Sequence, residues 1–250
     1  MHRPPPAIEV WEVSKAFRLP HERRTTLKEH LLHPFRRIEY ENQVALDDVS
    51  FSVSRGEFFA IIGANGGGKS TLLKIVAGIY RQDAGTVAVH GRLSPFIELG
   101  VGFNSELTAR DNVTINGTLL GLSRSELDER FESIISFADL SRFVDQKLKN
   151  FSSGMQLRLA FSIAIQVDFD ILLLDEVLAV GDAEFQDKCF RAFDDLMARG
   201  KTIVLVTHDL GAVSTYADRA LLLRDGRVDH VGSTADTIAA YERRRQSSVV

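Results

Sequence analysis

Eight residues constrain the fold of this chain more than any others: Gly63-Ala64-Asn65-Gly66-Gly67-Gly68-Lys69-Ser70. They fit G-x-x-x-x-G-K-[ST] at every fixed position. The flanks supply the context this motif needs, since Glu57 to Ile62 reads as a strand and Lys69 to Ala77 as a helix ending at Gly78. In such a loop the glycines let successive backbone N–H groups turn inward on phosphate oxygens, and the helix start adds a partial positive charge. Asn65, Gly66, Gly67, Gly68, Lys69, Ser70 and Thr71 are therefore the expected phosphate-binding segment. Lys69 would neutralise the phosphates and Ser70 would offer its hydroxyl to Mg²⁺. The alternative is a plain flexible turn, which the lysine, the hydroxyl and the flanking elements disfavour.

A second feature gains meaning from the first. Ile171 to Leu174 is a short, fully apolar run, the pattern of a strand buried on both faces of a parallel sheet, and Asp175 and Glu176 follow at once. Acidic residues after apolar runs are common, so the pair alone could be solvated charge. At the carboxyl end of a strand beside a phosphate loop, Asp175 would hold Mg²⁺ through water, and Glu176 would orient and deprotonate an attacking water.

With these come Ser152-Ser153-Gly154-Met155-Gln156, Asp182 and His208. In this order, over nearly the whole chain, the motifs resemble those of the nucleotide-binding subunit of ABC transporters. The resemblance implies an α/β fold of the ABC-type P-loop ATPase, with a mixed parallel core sheet, an N-terminal antiparallel β region and a helical subdomain. It implies ATP and Mg²⁺ as cofactors, a homodimer of ATPase subunits, and two copies of an integral membrane subunit as partner. Ser153, Gly154 and Gln156 would bind the γ-phosphate of the opposite protomer from a helix start, although Ser152 and Met155 depart from the usual leucine and second glycine. Asp182 would be the acidic residue of the loop that crosses between subunits, or an ordinary helix cap. Leu178 to Gly181 differ from the usual wording there. His208 ends the apolar run Ile203 to Thr207 and matches the switch histidine that contacts the γ-phosphate; a lone histidine at a strand end is otherwise more often structural. Lys69, Glu176 and His208 are then the catalytic set.

Two assignments stay open. The aromatic residue that stacks on adenine would be Phe17 or Tyr40, and either could be core. Gly91 to Phe103 stands where the family has its glutamine loop, but holds no glutamine. Glu98 is the nearest polar residue that could touch Mg²⁺ or the attacking water, with Gly100 and Gly102 leaving the loop mobile.

Residues 1–250 read as one ATPase domain with three regions. Strands Ile8 to Val13 and Ala45 to Val53 flank a basic insertion, 18–43. Between Arg18 and Arg37 there are six Lys or Arg against two Glu, and Thr26 with Glu29 suggests a capped amphipathic helix before Pro34. Such a helix would lie on an anionic membrane surface or pack on its own domain. The helical subdomain spans about 104–165, opening at Glu106 to Val113 and continuing through a second capping pattern, Ser123 to Glu126; its exposed apolar residues would receive the membrane partner. Residues 220–250 hold a hairpin around Asp225-Gly226 and a helix from Thr234.

Composition limits what else the chain can do. No run approaches the roughly eighteen apolar residues needed to span a bilayer and no signal peptide is evident, so a transport path would belong to another chain. A net charge of -4 gives no reason to expect nucleic-acid binding. The single cysteine, Cys189, fits a packed helix residue in a reducing compartment.

Three segments, ELGVGFNSELTARDNV, FSSGMQLRLAFSIA and LDEVLAVGDAEFQ, resemble one subgroup in particular. They are similar to ATPase subunits that export lipid-linked O-antigen, teichoic acid or galactan precursors. A peripheral location on the cytoplasmic face of the membrane follows, with the glycan handled mainly by the membrane subunit because the chain ends too soon for an added carbohydrate-binding domain. The alternatives are an importer ATPase, a soluble ABC ATPase acting on ribosomes or DNA, and a nucleotide-dependent module that does not hydrolyse.

Overall fold

The computed structural model describes residues 5–20, 40–97, 102–176 and 183–247. Glu98, Asp182, Leu178 to Gly181 and the helix expected after Thr26 lie outside the described residues.

Short apolar runs become the central sheet. Strands β3 (Phe58–Ile62), β5 (Leu93–Phe96), β6 (Ile171–Asp175), β7 (Thr202–Val206), β8 (Arg219–Arg224) and β9 (Arg227–Ser233) lie in the order β5-β6-β7-β3-β8-β9. All pairings are parallel except β8 with β9. Both faces are covered, which is why β3, residues 171–174 of β6 and residues 203–206 of β7 are continuously apolar and do not alternate. Phe59, Ile61, Leu173, Val204 and Leu221 face one core, whereas Phe58, Leu172, Leu174, Ile203 and Leu205 face the other. Pro95 is tolerated in β5 because that strand is an edge, paired only with β6.

The first core is closed by a three-stranded antiparallel sheet, β1 (Ile8–Pro20), β2 (Tyr40–Val53) and β4 (Ala84–Val89). Phe51 of β2 stacks on Phe59 with centroids 5.5 Å apart. The second core is closed by helices α4 (Ser153–Ala164) and α5 (Ala183–Ala198), through Phe161, Phe185 and Phe193. Truncating a buried aromatic such as Phe161 to alanine would cost about 3–5 kcal/mol. Cys189 is buried in this cluster.

Helix α1 (Lys69–Val76) follows the phosphate loop and ends at Gly78, whose φ of 73° suits glycine. Helices α2 (Ala109–Leu119) and α3 (Arg124–Phe137) start at reciprocal capping boxes, Thr108 with Asp111 and Ser123 with Glu126. With α4 they enclose a separate core around Val113, Ile134 and Leu159. Helix α6 (Leu210–Tyr216) and the last helix, α7 (Thr234–Ser247), cover β8.

Two expectations need correction. Strands read as Ile8 to Val13 and Ala45 to Val53 run on to Pro20 and start at Tyr40, so residues 18–20 and 40–43 of the expected insertion are ladder, with Arg18 opposite Asn42. Register shifts between Val10 and Val13 and a φ of 49° at Glu12 explain the misreading, because the bulge breaks the alternation that would have marked a continuous strand. The segment read as a loop from Gly91 also contributes β5.

Candidate functional site

The carboxyl ends of β3, β6 and β7 are neighbours, and each delivers part of one site. After β3 the loop turns through glycines at φ 153° (Gly63), 78° (Gly66) and 99° (Gly68). Two of these turns also need the missing side chain. A Cβ on Gly63 would sit 2.1 Å from the Leu223 carbonyl oxygen, and one on Gly68 2.4 Å from that of Ala45.

Lys69 is buried, and its ammonium donates to the carbonyls of Gly63 and Ala64, both at 3.0 Å. Burial pushes its pKa down, while the carboxylates of Glu176 and Asp175 pull it back up. These carbonyls are weak partners for a desolvated cation, so the ammonium is available to a phosphate. Asp175 ends β6. Burial raises its pKa against the opposing hydrogen bond from the Ser70 hydroxyl, and its Oδ1 is buried with no hydrogen-bond partner. An orphaned carboxylate oxygen beside a hydroxyl, facing a phosphate loop, has the hard oxygen chemistry that Mg²⁺ takes.

Glu176 has φ 51°, left-handed and unusual for a residue with a side chain, and is held there by donating its N–H to the Val206 carbonyl at 2.9 Å. Its Oε1 lies 3.7 Å from His208 Nδ1, which is neighbourhood and not yet a hydrogen bond; both side chains are exposed. The cleft over the loop is about 430 Å³. Phe17 and Gln43 to Ala45 form one wall, Asn65, Gly66, Gly68, Lys69, Ser70 and Thr71 the floor, and Glu176 the far side. Gly67 is buried beneath, its carbonyl accepting from the Gly226 N–H at 3.2 Å.

The structure thus brings together Lys69, Ser70, Asp175, Glu176 and His208, with Phe17 on the wall. Ser153, Gly154 and Gln156 do not line this cleft. They occupy the first turn of α4, capped by Ser152, whose side chain accepts from the Met155 N–H at 3.2 Å. Gln156 is tied to its own chain, its amide donating to the Leu148 and Phe151 carbonyls at 3.3 and 3.5 Å. Met155, in place of the usual glycine, packs against the α2–α4 core.

The wall at Gln43 and Val44 is not read from the sequence: Gln43 falls in the expected insertion, 18–43, and Val44 between it and the expected strand. Nor is the brace at Gly226. The Asp225-Gly226 turn was visible as a turn, but nothing local says that it reaches the phosphate loop.

A family model described as "ABC transporter" matches residues 46–179. The chain belongs to this family. ABC ATPases bind and hydrolyse ATP, which matches the phosphate loop, the paired carboxylates and His208 in one site. Among curated relatives, the "O-antigen export system ATP-binding protein RfbB" of Klebsiella pneumoniae is 42% identical over 241 residues, covering 95% of this chain and 98% of the relative. The "Teichoic acids export ATP-binding protein TagH" of Listeria innocua is 39% identical over 198 residues, 79% of this chain and 59% of that protein. Among solved structures, a dimeric ATP-binding cassette in a post-hydrolysis state bound to ADP and Pi superposes with a TM-score of 0.74 at 23% identity, covering 91% of this chain and 98% of that one. This last likeness establishes the ABC cassette fold. Among the described residues of this ABC chain, no helix is long and apolar enough to cross a membrane.

Proposed function

We propose that this chain is the ATP-hydrolysing subunit of an ABC exporter that moves lipid-linked cell-surface polysaccharide across the cytoplasmic membrane. It works as a homodimer on the cytoplasmic face, bound to two copies of an integral membrane subunit. One observation carries the export reading: the 42% identity to RfbB extends over 95% of this chain and 98% of that relative, well beyond residues 46–179 that match the general family model.

In the mechanism two protomers meet head to tail, each ATP lying between the Lys69 loop of one and the Ser153 helix of the other. Phe17 stacks on adenine. Lys69 exchanges its two loop carbonyls for phosphate oxygens, and loop N–H groups take the rest. Ser70 and Asp175 would hold Mg²⁺, whose charge offsets that of the phosphates. Glu176 takes the proton of the attacking water, and His208 fixes the carboxylate's orientation and the γ-phosphate. The backbone strain at Glu176 supports this role, since left-handed non-glycine residues cluster at active sites and its carboxylate lies 3.7 Å from His208.

An apolar groove of about 360 Å³ between β5, α2 and α4 supports the membrane partnership. Leu119 and Ile79 on its rim are 70% and 56% exposed. Large apolar side chains left in water beside a groove mark an interface. Two measurements test the proposal: recovery of an integral membrane protein with this chain from detergent-solubilised membranes, and ATP-dependent glycan movement in vesicles holding both. Leu119→Asp should lose the membrane partner and keep basal phosphate release. Recovery of no integral protein by the unaltered chain would sink the transporter reading; equal recovery by Leu119→Asp would move the contact elsewhere.

A further inference from the structure

We propose that Tyr80 and Asp83 are positioning residues for nucleotide binding: they brace the strand end that carries Phe17 against the segment leaving α1, and so set how firmly the adenine base is held. This inference rests on the reading of Phe17 as the base platform.

Topology creates the need for a brace. Strand β1 has a neighbour on each side only as far as Ser14, which pairs with Ala84 of β4. From Lys15 to Pro20 it pairs with β2 alone. A two-stranded ribbon in water is marginal at best. Phe17 stands on this half-supported length, opposite Gln43, and lines the cleft. Left to itself the ribbon would sway, and each ATP bound would have to order it.

The chain that leaves α1 meets the ribbon at Phe17 and at the three residues before it. Gly78 breaks the helix, and the N–H groups of Ile79 and Tyr80 donate back to the Lys74 carbonyl at 2.9 and 3.1 Å. The Tyr80 ring then meets the Phe17 ring edge to face, with centroids 5.6 Å apart and planes at 69°. Lys74 Nζ lies 5.4 Å from the Tyr80 centroid, a cation–π contact that holds the tyrosine to its helix. Three residues on, the Asp83 carboxylate accepts from the Ala16 N–H at 2.8 Å and from Lys15 Nζ at 2.8 Å. The Asp83 N–H donates to the Ser14 carbonyl at 2.9 Å. Lys15 Nζ also sits 5.5 Å from the Phe17 centroid.

The Tyr80 brace is therefore tied to the same short helix that presents Lys69 and Ser70 to the phosphates, while Asp83, just before Ala84 of β4, extends the hold of the sheet past Ser14. The spacing between base platform and phosphate site is set through a rigid element and not by the loose ribbon. Preorganising Phe17 removes an ordering cost from binding, so the effect belongs in nucleotide affinity and not in the chemical step. Neither Tyr80 nor Asp83 lines the cleft, so each acts through Phe17.

The test uses the full chain, with steady-state hydrolysis and with competition by inorganic tripolyphosphate, which has phosphates and no base. Tyr80→Ala should raise KM for ATP about 2- to 10-fold, the range expected for losing one aromatic pair. It should leave kcat at saturating ATP and tripolyphosphate affinity as they were. Tyr80→Phe should restore the KM, because the ring makes the contact, and Asp83→Ala should shift KM the same way as Tyr80→Ala. Added to Phe17→Ala, the Tyr80→Ala change should cost nothing further. Equal loss of tripolyphosphate affinity, failure of Tyr80→Phe to rescue, or full additivity with Phe17→Ala would overturn the bracing while leaving the platform intact. A Phe17→Ala variant that binds ATP normally would remove the platform, and the bracing role with it.

Discussion

The peptide at Glu176 shows what the site asks of a single residue. A left-handed non-glycine residue costs on the order of 1–3 kcal/mol, yet the bond from its N–H to Val206 on the neighbouring strand holds it there. Glu176→Gln keeps shape and backbone while removing the base. We expect it to bind ATP and form a stable dimer while phosphate release falls by about 10²- to 10⁴-fold; near-normal release would refute the assignment. Glu176→Gly should be equally inactive but more stable in thermal unfolding, because glycine relieves the strain. Cys189 makes the opposite point, a reactive group silenced by packing. Burial pushes its thiol up to about 12 from a usual value of 9.0. The folded chain thus keeps the proton while the unfolded chain releases it, so this contribution to stability is complete below the ordinary thiol pKa and is lost progressively as pH rises towards 12. Because Cys189 is the only cysteine, iodoacetamide should label the native protein negligibly at about pH 8.5 and fully in denaturant; rapid native labelling would contradict the burial.

At the scale of elements, the β8–β9 hairpin does more than end a sheet. Asp225 and Gly226 both have positive φ, 47° and 77°, as a tight two-residue turn requires. The Gly226 N–H reaches the Gly67 carbonyl and its own carbonyl accepts from the Asp47 N–H at 2.8 Å, joining hairpin, phosphate loop and β2. A Cβ there would lie 2.8 Å from the Ala45 carbonyl oxygen. Gly226→Ala should therefore lose at least about 1 kcal/mol from the backbone alone, and also weaken ATP binding by displacing the wall at Ala45. Gly200 is the control: its φ is 72° but the space around it is open, so Gly200→Ala should lower the melting temperature and leave ATP affinity alone. If both variants bind ATP alike, the hairpin is no brace. This contrast also marks what the residues could tell in advance. Strands β3 and β6 and helix α1 were legible because apolar runs, glycines and the lysine signal locally. The extension of β1 and β2 was not, since a bulge at Glu12 interrupts the pattern and the partner strand lies beyond a long insertion. Gln43 and Val44 were lost with it. Ser152 announced a helix start, and it caps one, but no residue in that turn says which surface it will meet.

For the whole molecule, the proposed head-to-tail mechanism gives each protomer two incomplete half-sites. Lys69→Ala should abolish hydrolysis, and so should Ser153→Arg. Mixed together, the two variants should regain part of it, because in a head-to-tail heterodimer both faults fall in one site and leave the other intact. Phosphate release that stays at the background of each parent would argue against a composite site. The strand order has a further consequence, in time instead of space. Strand β3, which launches the phosphate loop, pairs on one side with β7, Phe58 opposite Ile203, and on the other with β8, Phe59 opposite Arg219. Its flanking partners are thus written in the last fifth of the chain. During synthesis the phosphate loop emerges before either strand that flanks β3, so a ribosome-bound fragment ending before β7 should bind ATP more weakly than the 250-residue chain, which nucleotide titration of stalled fragments would check.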